Sequence, residues 1–141
     1  MNISTLSAEI KQRYHAQAEY PWAKFPNYAV FRHQRNRKWF AVLMVVDAAK
    51  IGTLKEGKIS IINVKANPEE IGSLRMIKGV YPAYHMNKEH WLSLHLSEID
   101  EALLFELLDE SFALTLKNHR NPGTKSHCCD DNQKCGQFFP S

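Results

Sequence analysis

Two runs of strand character, residues 27–34 and 38–46, are separated only by the short polar link Gln34-Arg35-Asn36-Arg37. A link this short joins neighbouring antiparallel strands, so the two runs must form a hairpin. The first run alternates, with Tyr28, Val30 and Arg32 on one face and Ala29, Phe31 and His33 on the other. The second is mostly apolar, with an unbroken run from Phe40 to Val46. Asn36 is the link residue suited to positive φ. The tip then presents Arg35 and Arg37 at the end of two strands.

The remaining periodicity builds outward from this hairpin. Residues 4–17 read as a helix with Ile3, Leu6, Ile10 and Tyr14 on one stripe and Ser4 as its N-cap. Pro21 and Pro26 punctuate a loop carrying Trp22 and Phe25. Residues 59–65 form a third strand after a turn at Gly57. Asn67 caps a short helix that starts at Pro68, with Glu69 and Glu70 in its first turn, where the helix dipole favours them. That helix is expected to run to about residue 77 and stop at Gly79. Residues 91–96 alternate as a fourth strand. Ser97 or Asp100 caps a last helix whose Leu103, Leu104, Leu107, Leu108, Phe112 and Leu116 make a wide apolar face. The order predicts an α+β domain: an antiparallel sheet of about four to five strands with the N- and C-terminal helices on one face.

At 141 residues the chain is one domain by length. Residues 1–118 hold the periodic segments, and residues 119–141 are expected to be a disordered tail. All three cysteines, Cys128, Cys129 and Cys135, lie in that tail. With His127 they are four potential zinc ligands, but not at the Cys-x2-Cys spacing of zinc ribbons, so no metal is expected. The longest apolar run is too short to span a bilayer. No basic segment followed by an apolar stretch opens the chain, and the expected compartment is the cytoplasm.

The net charge of +3 conceals a polarity along the chain. Residues 20–96 carry twelve Lys and Arg against five Asp and Glu, whereas residues 97–117 carry six acids and one base. The middle is suited to a polyanion and the last helix to something else. Two clusters concentrate the basic character. The first is Arg32, His33, Arg35, Arg37 and Lys38, with no acid between Lys24 and Asp47; arginine forks grip phosphate oxygens with two bonds. The second is the stretch Tyr81-Pro82-Ala83-Tyr84-His85-Met86-Asn87-Lys88-Glu89-His90-Trp91. There His85, Asn87 and Lys88 are the candidate surface contacts, and Tyr81, Tyr84 or Trp91 could stack on the bases of a single strand. Trp91 opens a strand and reads as core. Nucleic acid, DNA first, is the expected partner.

Catalysis finds little support. His85 and His90 are five apart, which does not set two ligands side by side on a helix, and the domain has no phosphate loop, serine elbow or cysteine nucleophile. No enzyme activity and no cofactor are expected. A second reading stays open, a protein-interaction adaptor docking through the acidic face Glu98, Glu101, Glu106 and Asp109.

Several blocks also resemble the MmcQ/YjbR family. They are Tyr20-Pro21-Trp22, Phe25-Pro26-Asn27-Tyr28-Ala29-Val30-Phe31-Arg32-His33, Asn36-Arg37-Lys38-Trp39-Phe40-Ala41, Ile61-Ile62-Asn63-Val64-Lys65, Ile71-Gly72-Ser73-Leu74, the Tyr81–Trp91 stretch and Asp109-Glu110-Ser111-Phe112. The resemblance spans roughly residues 5–117. It implies a small bacterial α+β protein of frataxin-like (CyaY-like) or double-wing type, usually labelled DNA-binding. A frataxin-like iron site would need an acidic first helix; residues 4–17 hold only Glu9, so iron is not expected.

Overall fold

The hairpin forms as its short link requires. A computed structural model describes residues 2–26, 28–52 and 57–116; the expected tail, with its three cysteines, lies outside the described residues. In chain order the elements are α1 (Ile3–Tyr14), β1 (Ala29–Arg32), β2 (Trp39–Asp47), a 3-10 turn (Ala48–Ile51), β3 (Lys58–Lys65), α2 (Pro68–Leu74), β4 (Val80–Pro82), β5 (Trp91–His95) and α3 (Glu101–Leu116). The five strands make one antiparallel sheet in the order β1-β2-β3-β5-β4.

Alternation along the strands divides the side chains between two layers. Phe31, Leu43, Ile62, Val64, Leu92 and Leu94 face one way and pack with Leu6 and Ile10 of α1 and Leu104, Leu107 and Leu108 of α3. Burying one such side chain contributes about 1.5–3 kcal/mol, so this layer carries most of the stability. Among the described residues no α-helix packs on the other face. Val30, Val42, Met44, Ile61 and Trp91 are covered there by loops, through Ile51, Ala83 and Met86, with partly buried Trp22, Tyr28, Tyr81 and Tyr84 around them. A strand buried on both faces reads as a continuous apolar run, which accounts for the composition of β2.

Local chemistry sets most boundaries. Asn67 caps α2 by accepting from Glu69 N at 2.9 Å, as expected. Asp100, not Ser97, caps α3, its Oδ2 accepting from Ala102 N at 3.1 Å and Leu103 N at 3.3 Å. α1 starts earlier than expected because Asn2, not Ser4, accepts from Thr5 N at 2.8 Å, and it stops at His15, which is left-handed. α2 ends at Leu74 rather than near residue 77. Gly79 is thus not its stop; it leads into β4, a strand absent from the sequence reading.

Two further features shape the sheet. The β1–β2 register shifts between Phe31 and Arg32. Beside it, Ser111 of α3 donates to Phe40 O at 2.6 Å and accepts from Lys65 N at 2.9 Å, so a helix side chain bridges the backbones of β2 and β3. The outer strands also spend their outward donors locally. Val30 exchanges both backbone bonds with Glu19, and Tyr28 N donates to Phe25 O at 3.0 Å. On the far side Gly79 O accepts from His95 N, so Val80 and Pro82 face outward; Val80 N donates to Ile77 O at 3.1 Å, and proline has no N–H.

Candidate nucleic-acid interface

The hairpin tip is a four-residue loop, Gln34 to Arg37. It is closed by His33 N donating to Lys38 O at 3.0 Å and Arg37 N donating to His33 O at 3.1 Å. Such a loop needs one left-handed residue, and Arg37 takes that role with φ of 63° rather than Asn36. Asn36 is committed elsewhere. Its Nδ2 donates to Thr115 O at 3.0 Å and Leu116 O at 3.4 Å, and its Oδ1 accepts from Lys38 N at 2.9 Å. Gln34 Nε2 donates to His15 O at 2.8 Å. The tip is therefore fastened to the carbonyl ends of both α1 and α3. Those ends carry partial negative charge, which basic neighbours complement.

His33 does not join the surface cluster. It is 2 % exposed, its Nε2 lies 2.7 Å from Thr115 Oγ1, and its ring sits 4.2 Å from that of Phe112 and 5.2 Å from that of Phe40. The alternation that put it on the Phe31 face aims it at the helix layer. Burial holds its pKa below the usual value of 6.5; a bond to the Phe112 backbone opposes the shift, and Lys38 adds to it. The unfolded chain thus binds this proton more readily than the native state does. The stabilisation from neutral His33 is full above about pH 6.5 and declines as pH falls below it. His33→Gln should flatten that part of the stability–pH curve in urea titrations. Exposed His85 shifts the same way, and His85→Gln measured in parallel separates the two. An unchanged slope in His33→Gln would disprove the assignment.

Arg32 and Arg37 converge on one carboxylate. Arg32 Nε donates to Glu19 Oε1 at 2.9 Å and Arg37 donates to Glu19 Oε2 at 3.2 Å. Arg32 also reaches Arg37 O at 3.3 Å and lies 5.8 Å from the centre of the Trp39 ring. Arg35 is exposed, and Lys38 is partly buried. Between the hairpin and the end of α1 lies an open cavity of about 400 Å³, lined by Lys11, His15, Glu19, Arg32, Gln34 and Arg37 among others. Sequence reasoning missed Lys11, His15 and Glu19 as site residues. Only tertiary contact brings a helix end and a loop carboxylate to a hairpin, and no spacing signals it.

The second cluster belongs to the other layer. Asn63 and Ser93, both fully buried, point into the loop-covered face. Ser93 Oγ donates to Asn63 Oδ1 at 2.5 Å and accepts from Tyr84 N at 2.9 Å, while Asn63 Nδ2 donates to Tyr84 O at 3.0 Å. This pins the middle of the Tyr81–Trp91 stretch beneath the sheet. Trp91 is fully buried, as expected. Asn87 is a turn former: its Oδ1 accepts from Glu89 N at 2.7 Å and its carbonyl accepts from Trp91 N at 3.0 Å. His85 takes φ of 61° and sits 4.1 Å from the Tyr84 ring. Burial, then Lys50 and Lys88, lower its pKa. Lys50, His85 and Lys88 therefore share one neighbourhood, and Lys50 was not foreseen. The hairpin tip is fastened to the helix layer and this block to the loop-covered layer, so they form two basic patches.

The acidic helix is partly self-satisfied. Tyr14 OH donates to Asp109, and Tyr81 OH donates to Glu98 Oε1 at 2.7 Å. Glu110 has its pKa raised by burial and by Glu70 and Glu106. Glu101 and Glu106 are exposed. No helix among the described residues is long and apolar enough to cross a membrane, and no group of three His, Cys, Asp or Glu among them could hold a metal ion.

Comparison with known proteins points one way. The family model described as YjbR matches residues 11–114. The uncharacterized protein YyaQ of Bacillus subtilis (strain 168) is 42% identical over 107 residues, covering 75% of this chain and 91% of that protein. A crystal structure of a protein from Pseudomonas syringae is 43% identical with a TM-score of 0.80, covering 82% of this chain and 99% of that one. A crystal structure of a Deinococcus radiodurans protein shares the fold, with a TM-score of 0.61 at 22% identity over 94% of this chain and 86% of that one.

Proposed function

The chain belongs to the YjbR family, and from that premise we propose that it is a cytoplasmic, non-enzymatic domain that binds nucleic acid, DNA first, by its phosphate backbone. The frataxin-like or double-wing label implied by the resemblance is part of the same proposal. One observation carries it: a cationic hairpin loop fastened at Gln34 and Asn36 to two helix ends. The carboxylate of Glu19 is shared between Arg32 and Arg37. A loop held this way presents Arg35 and Arg37 with little ordering left to lose on binding. Lys38 lies beside them, and Lys50, His85 and Lys88 supply a second contact on the other layer. His33 has no place in the interface.

Fluorescence anisotropy with short duplex and single-stranded DNA, from low to physiological salt, tests the reading. Arg35→Ala and Lys88→Ala should each weaken binding and reduce the salt slope by about one unit per lost phosphate contact. Glu106→Ala, on the acidic helix, should leave binding unchanged or slightly tighter. No binding to either form at low salt would remove the nucleic-acid reading. The adaptor would then stand, with exposed Met76 and Ile77 as apolar contacts and exposed Glu101 and Glu106 of α3 as acidic ones.

A further inference from the structure

We infer that the cavity between the end of α1 and the hairpin loop is a site for a phosphate monoester dianion, with Glu19 as a built-in competitor for it. The cavity, about 400 Å³, lies at the small end of the range for ligand pockets, about 300–1,000 Å³. That suits a single charged group and the sugar or short chain it is attached to. Its fixed charges are Lys11, Arg32 and Arg37 against Glu19, an excess of two positive charges. A phosphate monoester carries about −1.5 to −2 at neutral pH, which matches that excess. A diester or a carboxylate carries one charge and would leave one cation unanswered.

The donors converge in a way that suits three equivalent oxygens. Arg32 and Arg37 already aim guanidinium nitrogens at one point, the two oxygens of Glu19, at 2.9 and 3.2 Å. The carboxylate therefore marks where an anion is held. Its side chain is 38% exposed, and ion pairs at such a site are weak. A dianion can displace it and gain charge-assisted bonds that the carboxylate makes singly. Lys11 of α1 and His15 at its end line the same cavity. The wall geometry is fixed, since Gln34 ties the loop to His15 O. The monoester is the shared chemistry of a free nucleotide and of the phosphorylated end of a strand. In the second case the site deepens the nucleic-acid reading; in the first it stands without it.

The test uses the full chain, 15N-labelled, titrated with inorganic phosphate and then with 5′-phosphorylated and 5′-hydroxyl single-stranded oligonucleotides of one sequence. Phosphate should shift the amides of residues 15–19 and 34–37. Lys11→Ala, an exposed change, should weaken phosphate binding about tenfold, and Glu19→Gln should tighten it several-fold while its thermal midpoint reports that the fold is kept. The phosphorylated oligonucleotide should bind more tightly than its hydroxyl twin, with phosphate competing for the difference. Shifts at other residues only, or phosphate binding unaffected by both substitutions, would overturn the site. Equal binding of the two oligonucleotides would overturn its role in nucleic-acid recognition and leave backbone binding intact. Phosphate binding with no oligonucleotide binding would support the site and overturn the nucleic-acid reading.

Discussion

Gly79→Ala should destabilise the domain by about 2–5 kcal/mol, the sum of a left-handed penalty and forced overpacking. Gly79 sits at φ of 91°, and a Cβ there would meet Ile99 Cα at 2.6 Å, Ile99 N at 2.7 Å and Ile99 Cβ at 2.8 Å. Two of these atoms are backbone and cannot rotate away. The opposing segment is itself fixed, because Ile99 N and Glu98 N both donate to His95 O at 3.0 Å, and His95 N donates to Gly79 O at 2.8 Å. Relief therefore requires moving β4 away from β5. Gly72→Ala is the internal control: no atom lies within 4 Å of its added Cβ, and on a helix that change should stabilise by about 0.5–1 kcal/mol. Urea denaturation of both variants checks the pair. Equal midpoints would mean that the 95–99 turn yields more easily than its bonds imply.

Leu104→Ala should cost about 2–5 kcal/mol, the range for truncating a buried leucine. Leu104 is fully buried in the layer that α1, α3 and the sheet share. The neighbours on α3 are anchored by the Ser111 bridge to β2 and β3 and cannot collapse freely into the space left behind. The same urea assay reads it. A loss under about 0.5 kcal/mol would show that α3 holds its place through Ser111 and Asn36 more than through its leucines.

Local pattern carried the sequence reading where local chemistry decides structure. The hairpin, the other two inner strands β3 and β5, the Asn67 cap and the buried Trp91 are all consequences of short-range spacing. What it missed was settled at longer range. β4 is three residues ending in proline, with too little pattern to register, and its pairing with β5 is tertiary. The second apolar layer is assembled from Trp22, Tyr28 and Met86 in loops without periodicity. Asn36 lost the left-handed position to Arg37 because α3, some eighty residues away, offers its amide two carbonyls. Glu19 reaches Arg32 and Arg37 only because its segment folds back along β1. His33 is a different case. Its inward aim was present in the alternation with Phe31, but its place in a basic run drew it to the surface list.

The spent donors of the outer strands constrain how anything else can touch this sheet. A polypeptide joining by strand addition needs a row of open N–H and C=O groups. On the β1 side Glu19 occupies Val30 and the Phe25 turn occupies Tyr28 N; on the β4 side the Ile77 turn takes Val80 N and Pro82 has no N–H to give. Blunted margins of this kind also discourage copies of the chain from zipping together edge to edge. Recognition, whether of a nucleic acid or of a protein, therefore falls mainly to side chains on the rims and faces, because the outward backbone donors Tyr28 N, Val30 N and Val80 N are already engaged.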